Sequence, residues 1–182
     1  LGLTAGNALE VRESIEVLAG GGPADVVELT LILAREMLDA AKVSGKDPEV
    51  ALKDGSAMDR WRKMVRAQGG DPDASLPTAK EKLVITAERS GTISSMDALK
   101  VGVSAWRLGA GRARQGETVQ AGAGIEIHAK PGEKIVSGSA LFTLHSDESE
   151  RFERAKQALE GAVSISEKGE VAERLPLVIT KF

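Results

Sequence analysis

Two histidines, His128 and His145, are the only imidazoles in a chain of 182 residues that has no cysteine. Disulfides and thiolate metal sites are therefore excluded. A zinc site needs several converging His or carboxylate ligands, and the spacing identifies no third ligand. A general base needs an orienting partner, and none is evident beside either histidine. We interpret both as structural or surface residues and assign no catalytic residue.

Two glycine-rich segments could approach a phosphate. Residues 20–25 (GGGPAD) open a predicted helix, but they lack the P-loop Lys-Ser/Thr, and Asp25 would repel an anion. Residues 108–112 (LGAGR) end a helix instead of following a strand, so they have the wrong context for a nucleotide loop. The first segment predicts a helix–helix connection and the second a tight turn.

The charge pattern gives no reason to expect a nucleic-acid or membrane partner. Net charge is −3 with a pI near 5.6, whereas nucleic-acid binders show a basic excess. We interpret the one basic run as the solvated face of a single predicted helix; it contains Arg60, Arg62, Lys63 and Arg66. No apolar run approaches the roughly 20 residues of a membrane span, and no signal peptide is seen. We expect a cytoplasmic protein.

The elements change character along the chain, with a boundary in the turn-rich residues 69–80. Before it, helical periodicity dominates, and residues 26–38 carry two apolar stripes typical of a helix buried on both sides. After it, strands are predicted over residues 83–86, 124–128, 133–136, 140–144 and 177–182. Helix stripes are predicted at Met96, Leu99, Val103 and Trp106, and at Phe152, Ala155 and Leu159. Predicted helix caps are Ser56 with Asp59, Ser94 with Asp97, and Ser146 or Asp147.

Five motifs spread over the chain resemble the thymidine phosphorylase and pyrimidine-nucleoside phosphorylase family. They are residues 6–11 (GNALEV), 20–25 (GGGPAD), 68–72 (QGGDP), 108–112 (LGAGR) and 130–133 (KPGE). The resemblance implies an α/β enzyme of which this chain is the C-terminal, α+β portion. Residues 1–76 would be helices of the large α/β domain. Residues 80–160 would form a C-terminal module of hammerhead and barrel-sandwich character, and residues 161–182 a closing strand segment.

The same resemblance implies the activity of the parent enzyme. Family members use phosphate as co-substrate to convert thymidine or a related pyrimidine nucleoside to the free base and a pentose 1-phosphate, with no organic cofactor, and they are homodimers. Their glycine-rich phosphate loop and catalytic residues lie upstream of the motifs found here. We therefore expect the missing N-terminal catalytic portion to be this chain's partner, and the chain alone to be structural and inactive.

One candidate site is carried over from the family by motif position. Glu10, Glu13 and Glu16 recur every three residues of the first helix, a pattern that by itself indicates a solvated acidic face. In the bacterial family members, a monovalent cation joins the phosphate loop to this segment. Its ligands from this side would be the backbone carbonyls of Leu1 and Thr4 and the Glu13 carboxylate. Oxygen-only ligation suits a hard cation such as potassium.

Two alternatives remain open. Residues 130–141 resemble the pattern of biotinyl and lipoyl carriers, so a free-standing binding or carrier-like module is one. Lys130 and Lys134 flank a Pro-Gly turn there, without the tip sequence that carriers modify. The other alternative is a fragment of a related AMP phosphorylase, which this part of the chain does not distinguish.

Overall fold

The computed structural model describes residues 2–172 and 176–180. Within them the chain forms two compact units. The first unit contains residues 3–10 and 76–172, and the second contains Gly2 with residues 11–75 and 176–180. Helices and strands are mixed, which confirms the predicted α+β class. Within the described residues, no helix is long and apolar enough to cross a membrane.

The first unit is built on two small antiparallel sheets. Its strands are β1 Thr4–Ala5, β2 Glu81–Thr86, β3 Gly91–Met96, β4 Gly124–Ile127, β5 Lys134–Ile135, β6 Ala140–Ser146 and β7 Val163–Ser166. One sheet has the order β1-β4-β6-β2 and the other the order β5-β3-β7. The strands predicted over residues 83–86, 124–128, 133–136 and 140–144 are thus confirmed within a few residues. The strand predicted at 177–182 is wrong over residues 177–180, and the last two residues lie outside the described ones.

Alternation along β4 and β6 creates the core of this unit. Ile125 is opposite Leu144 and Ile127 is opposite Phe142, and all four side chains are buried. Because successive strand residues point to opposite faces, these pairs share one face of the sheet. Burying each such side chain contributes about 1.5–3 kcal/mol. Because the chain has only three phenylalanines and two tryptophans, aliphatic residues supply most of this core.

Two helices cover the core of the first unit: α5, Ala98–Ala105, and α6, Arg151–Leu159. The two helices meet where the buried Ser104 hydroxyl donates to the Ala155 carbonyl over 2.9 Å. The predicted face of α5 is wrong, because Leu99 is 76% exposed and Val101, Ser104 and Ala105 are the buried residues. The α6 stripe is confirmed, since Ala155 and Leu159 are buried.

The predicted helix caps are also wrong, and each has a local reason. Ser94 lies inside β3, so α5 begins only after Asp97, whose carboxylate accepts the Lys100 N–H over 3.1 Å. Ser146 lies inside β6, and α6 follows Glu150 without a side-chain cap. The helix at Ser56 follows Gly55, which has a left-handed φ of 80°, and has no side-chain cap. Serine–acid spacing alone did not identify the residue at which the chain turns into a helix.

The second unit is helical. Helix α1, Asn7–Leu18, begins in the first unit and continues into this one, followed by α2 Ala24–Ala40, α3 Pro48–Lys53 and α4 Ser56–Ala67. All residues of α2, α3 and α4 are described, and none is buried. The prediction that α2 is buried on both sides is therefore wrong for this chain, because Leu33 and Met37 are 49% and 67% exposed.

Candidate functional site

Two of the recognised motifs meet in the first unit. The Asn7 side-chain amide donates to the carbonyls of Ala110 and Gln120, each over 3.0 Å. Gly6, with a φ of 121°, approaches β4 so closely that a Cβ would lie 2.7 Å from the Ala123 carbonyl oxygen and 2.8 Å from the Gly124 Cα. The GNALEV motif therefore holds the start of α1 against the LGAGR turn through the hydrogen bond from Asn7 to Ala110.

The LGAGR segment itself is a tight turn, as predicted. Helix α5 runs into a π-helical turn, Trp106–Ala110, and the chain leaves it at Gly109, whose φ is 106°. A Cβ on Gly109 would fall 2.9 Å from the Gln120 amide carbon. The buried Leu108 anchors the turn in the core. This segment ends a helix, and Gly109 leaves room for the Gln120 side chain. Its glycines therefore allow close packing and do not form a nucleotide-binding loop.

Gln120 joins this turn to the end of β6, forming what we call the Gln120 network. Its carboxamide oxygen accepts from the Asp147 N–H over 2.7 Å and from the Ser146 hydroxyl over 3.1 Å. Its NH₂ group donates to Glu148 over 3.0 Å. The single hydrogen of the Ser146 hydroxyl is shared between the Gln120 carboxamide oxygen and the Leu108 carbonyl oxygen, which lies 2.9 Å away. Nothing in the sequence pattern pointed to Gln120, because its partners lie about 27 residues away.

Both histidines lie on the face of the four-stranded sheet opposite to the one that carries Ile125 and Leu144. His145 is buried, and its Nε2 lies 3.1 Å from the Glu126 carboxylate. His128 Nε2 is 2.7 Å from the Thr143 hydroxyl. Strand register places Glu126 opposite Thr143. The sequence missed Glu126, although strand alternation over residues 124–128 puts Glu126 and His128 on one face.

This polar face is not a metal site by its geometry. Within the described part of the chain, no three His, Asp or Glu side chains converge as a metal-binding group. The pairing of each histidine with an oxygen-bearing neighbour agrees with the structural interpretation made from the sequence.

A cleft of about 560 Å³ in the first unit lies beside α6 and β7. Its basic groups have partners on the protein: Arg89 donates to the Ile165 carbonyl over 3.0 Å, and Lys156 is 3.2 Å from Glu153. A phosphate pocket would present unsatisfied donors to the anion. The cleft therefore does not resemble one.

Strand β1 presents one carbonyl to the outside of its sheet. The Ile127 N–H donates to the Leu3 carbonyl over 2.7 Å, and Thr4 is opposite Glu126. In an antiparallel ladder the backbone groups of alternate residues face the partner strand, so those of Thr4 point away from β4. Since β1 is the edge strand, the Thr4 carbonyl is oriented outward. The Thr4 hydroxyl is buried and has no hydrogen-bond partner among the described residues.

In the second unit, the Glu13 carboxylate lies against Gly2. A Cβ built on Gly2 would fall within 2.7 Å of all three atoms of that carboxyl group. Gly2 therefore leaves the space that the carboxylate occupies.

The chain is similar to known proteins along most of its length. Residues 92–166 match the pyrimidine nucleoside phosphorylase C-terminal domain family. A thymidine phosphorylase of Mycobacterium tuberculosis is 56% identical over 165 residues, which are 91% of this chain and 39% of that protein. The pyrimidine-nucleoside phosphorylases of Geobacillus stearothermophilus and Staphylococcus epidermidis are 36% and 32% identical over 91% and 100% of this chain.

The chain belongs to the thymidine and pyrimidine-nucleoside phosphorylase family. It spans about two fifths of the length of these relatives, 39%, 41% and 44% respectively. Residues 92–166 correspond to the family's C-terminal domain, which confirms the resemblance expected from the five motifs.

The sequence suggested one candidate site, for a monovalent cation. Of its three expected ligands, Leu1 lies outside the described residues, Thr4 belongs to the first unit and Glu13 to the second. The outward carbonyl of Thr4 and the Glu13 carboxylate are oxygen donors, the ligand chemistry of a hard cation. Sequence reasoning did not find the contact between Gly2 and the Glu13 carboxyl group, which occupies the space that a Cβ on residue 2 would need.

Proposed function

We propose that this chain is the C-terminal part of a phosphorylase that cleaves thymidine, or a related pyrimidine nucleoside, with inorganic phosphate. The products would be the free base and a 2-deoxyribose or ribose 1-phosphate. The observation that carries this proposal is the 56% identity to a thymidine phosphorylase over 91% of the chain. That similarity extends over residues outside the C-terminal module, which a carrier protein would not need, and so favours a phosphorylase over a free-standing carrier.

The chemistry needs an anion pocket for phosphate and donors that stabilise the departing pyrimidine anion. We assign both to the portion of the relatives that this chain does not span, and we assign no catalytic residue to the 182 residues. Residues 1–76 then belong to the large α/β domain. Residues 80–160 form a C-terminal module of hammerhead and barrel-sandwich character, followed by the segment of residues 161–182. The parent enzyme is proposed to be a cytoplasmic homodimer.

The exposed apolar side chains of the second unit support this arrangement. Val50 and Met64 are 53% and 50% exposed, and Leu33 and Met37 of α2 are exposed as well. A groove of about 660 Å³ lies among α2, α3 and their connection, lined in part by Met37, Val50 and Pro48. Large exposed apolar surface marks an interaction site. We propose that the N-terminal portion of the parent packs on these helices.

The proposed cation half-site uses Leu1, Thr4 and Glu13, with potassium as the ion. When bound, the ion would supply positive charge that joins this segment to the phosphate-binding loop of the parent. The chain's own contribution would be two carbonyl oxygens and one carboxylate, of which the Thr4 carbonyl lies on β1 and the Glu13 carboxylate on α1. Two observations support this assignment: the Thr4 carbonyl points outward from its sheet, and Gly2 leaves space for the Glu13 carboxylate.

The experiment is phosphate-dependent release of thymine from thymidine by the purified 182-residue chain, followed by ultraviolet absorbance. We expect no turnover together with a folded circular dichroism spectrum, because the anion pocket is assigned elsewhere. Phosphate-dependent turnover by this chain alone would show that the active site has been assigned to the wrong part of the protein.

A further inference from the structure

Three arginines line a small pocket of the first unit, beside the π-helical turn Trp106–Ala110. Arg107 comes from that turn, and Arg151 and Arg154 come from α6. We call this cavity of about 160 Å³ the arginine pocket. π-Helical turns are rare and occur frequently at functional sites. Because partly buried charges in proteins are usually paired, we expect the three positive charges to have negative partners, either in the protein or in a ligand.

The carboxylates that line the arginine pocket are engaged by other groups of the protein. Glu117 Oε2 accepts two backbone N–H groups of its own loop, over 2.9 and 3.2 Å. Glu148 accepts from the Gln120 side-chain NH₂ over 3.0 Å and lies 2.6 Å from Arg151 Nε. Arg151 is therefore the one lining arginine with a carboxylate partner among the described residues.

Arg107 and Arg154 form no ion pair in the part of the chain that the structure describes. The Arg107 Nη1 donates to the Arg154 backbone carbonyl over 2.7 Å, which holds the guanidinium in place without neutralising it. A guanidinium has five N–H donors, so most of the donors of these two side chains remain available. Since Arg107 is half-buried, an anion in the pocket replaces hydration that its charge has lost.

We propose that the arginine pocket binds a phosphate group, either as inorganic phosphate or as a phosphate monoester. Arg107 and Arg154 supply the donors, because one guanidinium can give two parallel N–H bonds to two phosphate oxygens. A phosphate monoester carries about −1.5 to −2 charge at pH 7, which matches two uncompensated guanidinium groups more closely than a carboxylate does. Arg112 and Arg114, exposed in the loop that borders the pocket, add positive potential at its edge. The inference does not rest on the proposed function, since it uses only residues of the first unit.

The first test locates the ligand on the chain. The purified 182-residue chain, labelled with ¹⁵N, is titrated with inorganic phosphate at low ionic strength, and its arginine Nε–Hε signals are followed by NMR. Saturable shifts are expected for Arg107 and Arg154. The exposed Arg60 of α4 is the reference within the same sample. No saturable shift at Arg107 or Arg154, or shifts of equal size at Arg60, would overturn the inference.

The second test compares the phosphate affinities of variants. Arg154→Gln is expected to weaken binding roughly 10–100-fold, the factor that one charge-assisted hydrogen bond contributes. Arg107→Gln should weaken it at least as much, and Arg107→Lys should recover only part of the loss, because it restores the charge without the planar fork. Lys134→Gln is the matched control, since it removes one exposed charge of β5 that does not line the pocket. It should change affinity by less than about twofold.

Arg154 is exposed, so its substitution tests the site even if Arg107→Gln fails to fold. A loss in Arg154→Gln no larger than that in Lys134→Gln would contradict the proposal.

The two sources of a phosphate group are distinguished by titrating inorganic phosphate and glycerol 3-phosphate separately. Tighter binding of glycerol 3-phosphate assigns the pocket to a phosphate monoester, and tighter binding of inorganic phosphate assigns it to the free ion. Either result supports a phosphate site. Chloride that binds as tightly as phosphate would overturn it, because the proposed donors recognise several oxygens of one anion. Thymine release is a separate readout, so failure of the proposed function leaves this result unchanged.

Discussion

Replacing Gln120 with Met should destabilise the first unit far more than its half-buried position suggests. Methionine keeps the length and flexibility of the side chain and removes its three hydrogen bonds to Ser146, Asp147 and Glu148. The bonds to Asp147 and Glu148 contribute about 0.5–1.5 kcal/mol each and the shared Ser146 hydrogen contributes less, so the expected loss is about 1–3 kcal/mol. Ser146 keeps its bond to the Leu108 carbonyl, whereas the Asp147 N–H loses its partner.

Native-state amide hydrogen exchange measures this loss within one unit, which matters because a chain of two units need not unfold in a single step. A loss of about 2 kcal/mol corresponds to roughly 30-fold faster exchange of the most protected amides, since 1.4 kcal/mol is tenfold. The amide of the fully buried Leu144 reports the unit as a whole, and that of Asp147 reports the network.

Gln157→Met is the matched control, because Gln157 is exposed on α6 and has no side-chain hydrogen bond among the described residues. Its exchange rates should be unchanged within about twofold, the effect of a neutral surface substitution. If Gln120→Met changed exchange no more than Gln157→Met, the Gln120 network would not stabilise the unit and the reasoning would be refuted.

Three further predictions concern particular residues of the two units. Leu108→Ala empties a fully buried site and should cost about 2–5 kcal/mol in the unfolding free energy of the first unit, measured by denaturant titration; a cost below about 1 kcal/mol contradicts its place in the core. Asp97→Ala removes the cap of α5 and should cost about 1 kcal/mol, with faster exchange of the Lys100 amide as the local check. Hydrogen bonds from the Ser56 side chain and backbone lower the pKa of Asp54. The stabilisation from the ionised Asp54 carboxylate is therefore fully present above its unfolded-state pKa, about 3.9. It is lost as the pH falls through the lower pKa of Asp54 in the folded state. Carboxyl NMR titration should show that Ser56→Ala raises the Asp54 pKa toward its ordinary range, and an unchanged value would refute this cause.

The positions of β2, β4, β5 and β6 followed from the sequence because β-branched and apolar residues are concentrated there between turn-forming residues, whereas β1, β3 and β7 were not predicted. The runs ending at Thr86 and Ile127 are examples, and each is bounded by glycine, proline or charged residues. Pairing was not predictable, since β6 lies between β2 and β4, whose residues are far apart in the chain. The same long separation hid the contact between Glu126 and His145.

Helix faces were harder to predict, for two physical reasons. In α5 the buried positions include Ser104, whose hydroxyl is satisfied by the Ala155 carbonyl, so polarity misled the choice of face. In α2 the apolar stripes are real, but within the described part of the chain none of their residues is fully buried. A pattern shows that a surface requires a partner and does not show whether that partner lies in the same chain.

The candidate site was only partly accessible to sequence reasoning. Motif resemblance gave Leu1, Thr4 and Glu13 as expected ligands, whereas the outward direction of the Thr4 carbonyl depends on β1 being an edge strand. The contact between Gly2 and the Glu13 carboxyl group depends on the fold, because the two residues are eleven positions apart in the chain. Such contacts are set by three-dimensional packing and leave no local sequence signal.

The central claim is that this chain supplies the C-terminal part of a nucleoside phosphorylase. The most direct test replaces the matched 165-residue segment of the Mycobacterium tuberculosis thymidine phosphorylase with the corresponding residues of this chain. Phosphate-dependent release of thymine from thymidine is then measured. The account predicts that the folded chimera retains phosphorolysis that disappears without phosphate. A folded chimera that binds phosphate and thymidine but releases no thymine would contradict it.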